Sequence, residues 1–126
     1  MRIYIVEDSA IVARALTKTL GLRHPDVEII PVVGESGYAA LQAFRDHSPT
    51  HRDAVIVDGL NGYWGEAVRF AQQTQATALV FTGETRKIEE RLRQYGHLRP
   101  FRIFGKAQDE AELYAYIAEL IKSFES

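Results

Sequence analysis

The sequence predicts an α/β domain built on a five-stranded parallel sheet with helices on both faces. Two observations carry this. Short β-branched runs alternate strictly with longer segments of helical periodicity, five of each. The short runs read as near-continuous apolar stretches, as strands covered on both faces should, instead of alternating apolar with polar.

Ile3-Tyr4-Ile5-Val6 is the first strand. Ile11, Val12, Ala15, Leu16 and Leu20 follow at helical spacing, with Gly21 as the expected stop and Pro25 in the next turn. Residues 27–33 form the second strand, and Pro31, which has no N–H to donate, puts it at a sheet edge. Ala39, Ala40, Ala43 and Phe44 begin the inner face of a helix that ends before Pro49. Ala54-Val55-Ile56-Val57 is the most apolar run and so the central strand. A glycine-rich loop, residues 59–65, leads to a short helix carrying Ala67, Val68 and Ala71. Ala78-Leu79-Val80-Phe81 is the fourth strand, and Thr85 is placed to cap a helix containing Ile88, Leu92 and Tyr95. Residues 101–104 form the fifth strand. Asp109 and Glu112 have capping-box spacing at the start of the last helix, whose apolar stripe is Leu113, Ile117, Leu120, Ile121 and Phe124.

Composition narrows the function classes. A chain of 126 residues suits one domain, residues 1–126, with a core that needs no staples. The absence of cysteine excludes disulfides and thiolate metal sites. A net charge of -2 gives no general attraction to nucleic acid. The first apolar run is too short for a signal peptide and no stretch suffices for a membrane span, so a cytoplasmic location is expected.

Ligands of open parallel sheets bind outside the carboxyl ends of the strands. The residues at those ends are Glu7 and Asp8, Asp58, Thr82 and Lys106. Three converging carboxylates repel one another unless a cation or a proton intervenes, and their hard oxygens suit Mg²⁺. Lys106 adds a fixed positive charge and Thr82 a hydroxyl donor, so the set suits a phosphoryl group. A carboxylate after the central strand can itself attack phosphorus, which makes Asp58 the candidate nucleophile.

The segments IVED at residues 5–8, VIVD at 55–58, VFTG at 80–83 and the pair Gly105-Lys106 together resemble the receiver domain of bacterial two-component response regulators, over essentially the whole chain. The resemblance implies a flavodoxin-like (CheY-like) sheet in (βα)5 alternation. It implies that Asp58 is the phospho-acceptor, assisted by Thr82 and Lys106. Mg²⁺ would be held by Glu7, Asp8, Asp58 and the backbone carbonyl of Leu60. The phosphoryl donor would be a sensor histidine kinase or a histidine phosphotransfer protein. Such a domain is regulatory, with no chemistry beyond its own phosphorylation and dephosphorylation. Output would pass to another protein or a homodimer through the fourth helix, fifth strand and fifth helix, with no direct nucleic-acid or membrane contact.

Three departures from the family pattern bear on this. Ala107 follows the lysine where the family has a proline, so the turn holding Lys106 must be built differently, and without a cis bond. The loop after Asp58 is rich in glycine, and Trp64 either covers the site or fills the core. Ile103 stands where the family carries its switching aromatic, which leaves Phe104 or altered helix packing as routes for signalling.

Two other classes stay open. A pseudo-receiver would bind partners independently of phosphorylation. An aspartate phosphohydrolase would want a second Asp where Leu60 stands, and a flavin phosphate would be repelled by Glu7 and Asp8. His47 and His51 have helical metal-pair spacing, but Pro49 breaks the helix between them. The arginines and lysines from Arg86 to Arg102 are interrupted by Glu84, Glu89 and Glu90 and suit a solvated helix.

Overall fold

The computed structural model describes residues 1–125. Five parallel strands form one sheet: β1 (Arg2–Glu7), β2 (Glu28–Val33), β3 (Ala54–Val57), β4 (Thr77–Thr82) and β5 (Arg102–Gly105). Their spatial order is β2-β1-β3-β4-β5, a flavodoxin-like arrangement. Pro31 lies on the edge strand as expected, and β3 is central. The helices are α1 (Ala10–Arg23), α2 (Gly37–Arg45), α3 (Trp64–Gln73), α4 (Thr85–Arg91) and α5 (Glu110–Glu125).

Successive strand residues point to opposite faces, and each inner strand divides its apolar residues between two cores. Tyr4, Val6, Val55, Val57, Ala78 and Val80 pack with α2, α3 and Ile88 of α4. Ile3, Ile5, Ala54, Ile56, Leu79 and Phe81 pack with α1 and α5. This is why the strands carry no polar alternation.

Several local readings are corrected. Gly21 does not stop α1, which continues to Arg23 and is closed by the His24 N–H on the Leu20 carbonyl. The buried face of α1 is Ala13, Leu16 and Leu20, whereas Ala15 is exposed and Ile11 is 78% exposed. Ile11 lies five residues before Leu16, well off the face that Leu16 and Leu20 set at 3.6 residues per turn. Thr85 is inside α4 and not its cap; Glu84 precedes the helix and makes no side-chain cap bond. That helix is short, and Leu92 and Tyr95 fall in the 3₁₀ turn Leu92–Tyr95 that follows. Asp109 caps no helix N–H with its carboxylate, which instead accepts the Gly105 N–H at 2.7 Å.

The amino ends of β1 and β3 are tied by one buried carboxylate. Asp53 is 2% exposed. It accepts the Arg2 backbone N–H at 3.0 Å, the Arg2 guanidinium at 2.9 Å, the Thr50 N–H at 2.8 Å and the Thr50 hydroxyl at 3.1 Å. This network lies at the end of the sheet opposite the candidate site. Among the described residues, no helix is long and apolar enough to cross a membrane.

Candidate functional site

The parallel sheet brings the carboxyl ends of β1, β3, β4 and β5 to one edge, at the point where chain order reverses between β1 and β3. Glu7 ends β1 and is 3% exposed. Its Oε1 accepts the N–H groups of Asp8 and Ser9, at 3.1 and 3.2 Å, and so shapes the turn into α1. The helix itself is capped by Ser9, whose hydroxyl accepts the Val12 N–H at 3.3 Å. The other oxygen, Oε2, faces Lys106. Glu7 is thus a turn residue with one oxygen and a site residue with the other.

Asp58 follows β3, which its own N–H extends by donating to the Val6 carbonyl. Its Oδ2 accepts the Leu60 N–H at 3.1 Å, leaving Oδ1 towards Lys106. The Lys106 Nζ lies 2.7 Å from Asp58 Oδ1 and 3.1 Å from Glu7 Oε2. Oxygens of Glu7, Asp8 and Asp58 lie within 4.8 Å of one another. Burial, followed by the Asp58 charge, pushes the Glu7 carboxyl up to about 7, against the pull of Lys106. Burial works against the charge on Lys106, but the hydrogen bonds and charges of Asp58 and Glu7 outweigh it and raise its pKa. The three carboxylates and one ammonium carry a net charge of -2 when all are ionised. That balance and the hard oxygen donors fit a divalent cation such as Mg²⁺.

Thr82 ends β4 and is 3% exposed. Its Oγ1 accepts the Glu84 N–H at 3.1 Å, which leaves the hydroxyl proton to donate. Its carbonyl accepts the Lys106 N–H at 2.8 Å, so Thr82 fixes the backbone of the lysine. The turn that replaces the missing proline is held by Asp109 on the Gly105 N–H, and no peptide bond in it is cis.

Leu60 is the residue expected to offer a backbone carbonyl to the metal. Its side chain is fully buried and its backbone has φ of 51°, in the left-handed region. For a leucine this costs roughly 1–2 kcal/mol, which the burial of the side chain, about 2 kcal/mol, offsets. The turned peptide directs the Leu60 carbonyl to the Tyr63 N–H at 3.1 Å and against Gly37 at the start of α2. The candidate side-chain ligands are the carboxylates of Glu7, Asp8 and Asp58.

The loop glycines serve closeness more than mobility. A Cβ on Gly59 would lie 3.1 Å from the Thr82 hydroxyl, so glycine lets β3 and β4 approach at the site. A Cβ on Gly65 would strike the Tyr95 ring. Trp64 fills the core, 1% exposed, with ring centroids 5.0 Å from Tyr95 and 6.0 Å from Phe101. Ile103 packs partly buried on the same layer. Phe104 is in the opposite layer, with its ring 5.5 Å from Tyr116, and does not take the place of the missing aromatic.

Beside Asp58 lies a cavity of about 240 Å³, bounded by Thr82, Gly83 and the loop after β3 on one side and by Lys87 and Arg91 of α4 on the other. At about 30 Å³ per water it has room for a tetrahedral anion. The sequence reading did not place these two cations at the site. Their spacing of four residues puts them on one side of α4, and that was the available signal.

No protein-family model and no curated protein matches the chain. Solved structures do. One is described as an adenylate cyclase from Rhodopirellula baltica, with a TM-score of 0.65 and 24% identity over 98% of this chain and 89% of that one. Another is a fusion carrying the yeast Spc42 trimeric coiled coil, with a TM-score of 0.67 and 18% identity over 98% of this chain and 78% of that one. At these identities the likeness is one of fold: a five-stranded parallel sheet between two layers of helices.

Proposed function

We propose that this chain is a receiver domain that accepts a phosphoryl group on Asp58. The observation that carries the reading is the Lys106 ammonium, 2.7 Å from Asp58 and 3.1 Å from Glu7, with Asp58 itself and Thr82 lining an anion-sized cavity. In the reaction, an Asp58 carboxylate oxygen attacks phosphorus. The bond from phosphorus to the donor nitrogen of a phosphohistidine breaks, and its electron pair leaves with the imidazole. The product is an acyl phosphate. Lys106 and the Thr82 hydroxyl hold the equatorial oxygens, which spread the charge in the transition state. A Mg²⁺ held by Glu7, Asp8 and Asp58 would neutralise the remaining oxygen charge when bound. The donor is a histidine kinase or phosphotransfer protein in the cytoplasm, and the signal leaves through a protein contact at α4, β5 and α5.

A pseudo-receiver is the second reading. It is favoured by the Leu60 carbonyl, which turns to Tyr63 and Gly37, and by Lys106, which already bridges two of the acids. The readings separate in ¹⁹F NMR with beryllofluoride, a mimic of the phosphoryl group. The receiver reading expects a bound resonance that requires Mg²⁺ and vanishes in Asp58→Asn. The pseudo-receiver reading expects none.

A further inference from the structure

Far from Asp58, at the amino ends of β4 and β5, a cavity of about 600 Å³ opens between residues 72–78 and 99–102, with Tyr116 of α5 at its side. It adjoins a second of about 390 Å³, and the two share Gln72, Gln75 and Arg99. No Asp or Glu lines either, although the chain holds 17 acidic residues against 15 Lys and Arg. The cations are Arg99 and Arg102 in the larger cavity and Arg99 and Arg69 in the smaller, with the His51 and His97 rings beside them.

Two of these arginines are held in place without a carboxylate. Arg99 is clamped on Gln72. Its N–H donates to Gln72 Oε1 at 2.9 Å, its carbonyl accepts Gln72 Nε2 at 2.9 Å, and its guanidinium donates to the Gln72 carbonyl. The Arg102 guanidinium lies 5.1 Å from the ring centroids of both Phe104 and Tyr116. Among the described residues neither arginine forms an ion pair. A fixed, unneutralised guanidinium is pre-organised for an anion, because little ordering entropy remains to be lost on binding. The planar fork suits phosphate oxygens. Phe101 and Tyr116 add aromatic surface to the same cavity, on which a planar ring can stack. The volume is that of a small-molecule site. A concave cavity of this size selects a compact ligand over a duplex or a bilayer surface.

We propose that this cavity binds a nucleoside phosphate, with the phosphates on Arg99 and Arg102 and the base against Phe101. The site is separate from Asp58 and stands whether or not Asp58 is phosphorylated. The test is calorimetric titration of the full chain with ATP in EDTA, so that no divalent ion links the nucleotide to the acidic cluster. ATP is expected to bind, and Arg99→Gln with Arg102→Gln to weaken it about tenfold or more. Arg99→Lys, which keeps the charge and loses the fork, is expected to give a smaller loss, and Phe101→Leu a loss for ATP but not for tripolyphosphate. Melting curves for each variant confirm the fold. Absence of ATP binding, or affinity unchanged in the double variant, overturns the site. Tripolyphosphate binding as tightly as ATP overturns the assignment to a nucleotide.

Discussion

Lys106→Met is expected to slow phosphoryl uptake by about two to three orders of magnitude while leaving the chain folded. Methionine keeps much of the lysine stem and removes only the ammonium, so packing over Glu7 and Asp58 is largely retained. What is lost is the fixed charge 2.7 Å from the attacking carboxylate. In a partly buried cleft such a charge acts without the reorganisation that solvent would need. Thr82 continues to hold the residue 106 backbone through its carbonyl, so the turn survives. The initial rate of adduct formation from acetyl phosphate and Mg²⁺, compared with wild type, reads the effect, and a urea melt monitors the fold. An unchanged rate would mean that Lys106 only balances charge in the resting protein.

Asp53→Ala is expected to cost about 3 kcal/mol, because it removes a buried carboxylate and leaves its donors without a partner. The Arg2 guanidinium and Thr50 are exposed enough to regain water, but the backbone N–H of Arg2, at the start of β1, does not regain it fully. The stability also depends on pH with a definite sign. Burial alone would raise the Asp53 pKa, but the bonds from Arg2 and Thr50 prevail and hold it below the usual value of 3.8. The native state therefore binds its proton less readily than the unfolded chain. The contribution is complete above the unfolded pKa and is lost as pH falls through the folded one. Urea melts at neutral pH and below pH 4 should show the wild type losing stability in acid and Asp53→Asn losing less. A neutral-pH loss under about 1 kcal/mol would show that the network contributes little.

The sheet was legible because the three inner strands are buried and leave an unmistakable apolar rhythm, and Pro31 even marked the edge. The order β2-β1-β3-β4-β5 then follows from few alternatives. Glu7, Asp8, Asp58, Thr82 and Lys106 were legible because strand ends in such a sheet meet at one edge, and all five are found there. What could not be read depends on contacts between distant residues. The phase of α1 was misjudged because Ile11 is apolar yet 78% exposed, and nothing local distinguishes it from a core residue. Asp109 has the spacing of a helix cap, but the Gly105 N–H competes for its carboxylate and wins. The Leu60 carbonyl depends on a left-handed turn at a leucine, which sequence patterns disfavour and which only the core position of its side chain explains. Lys87 and Arg91 are exposed, as a solvated face requires, and what could not be read is that they also line the cavity beside Asp58.

Intact-protein mass spectrometry after incubation with acetyl phosphate, with and without Mg²⁺ and beside Asp58→Asn, tests the central claim most directly. The expected result is one phosphoryl mass on the wild type, absent without Mg²⁺ and absent in the variant. An adduct that persists in Asp58→Asn would contradict the assigned acceptor.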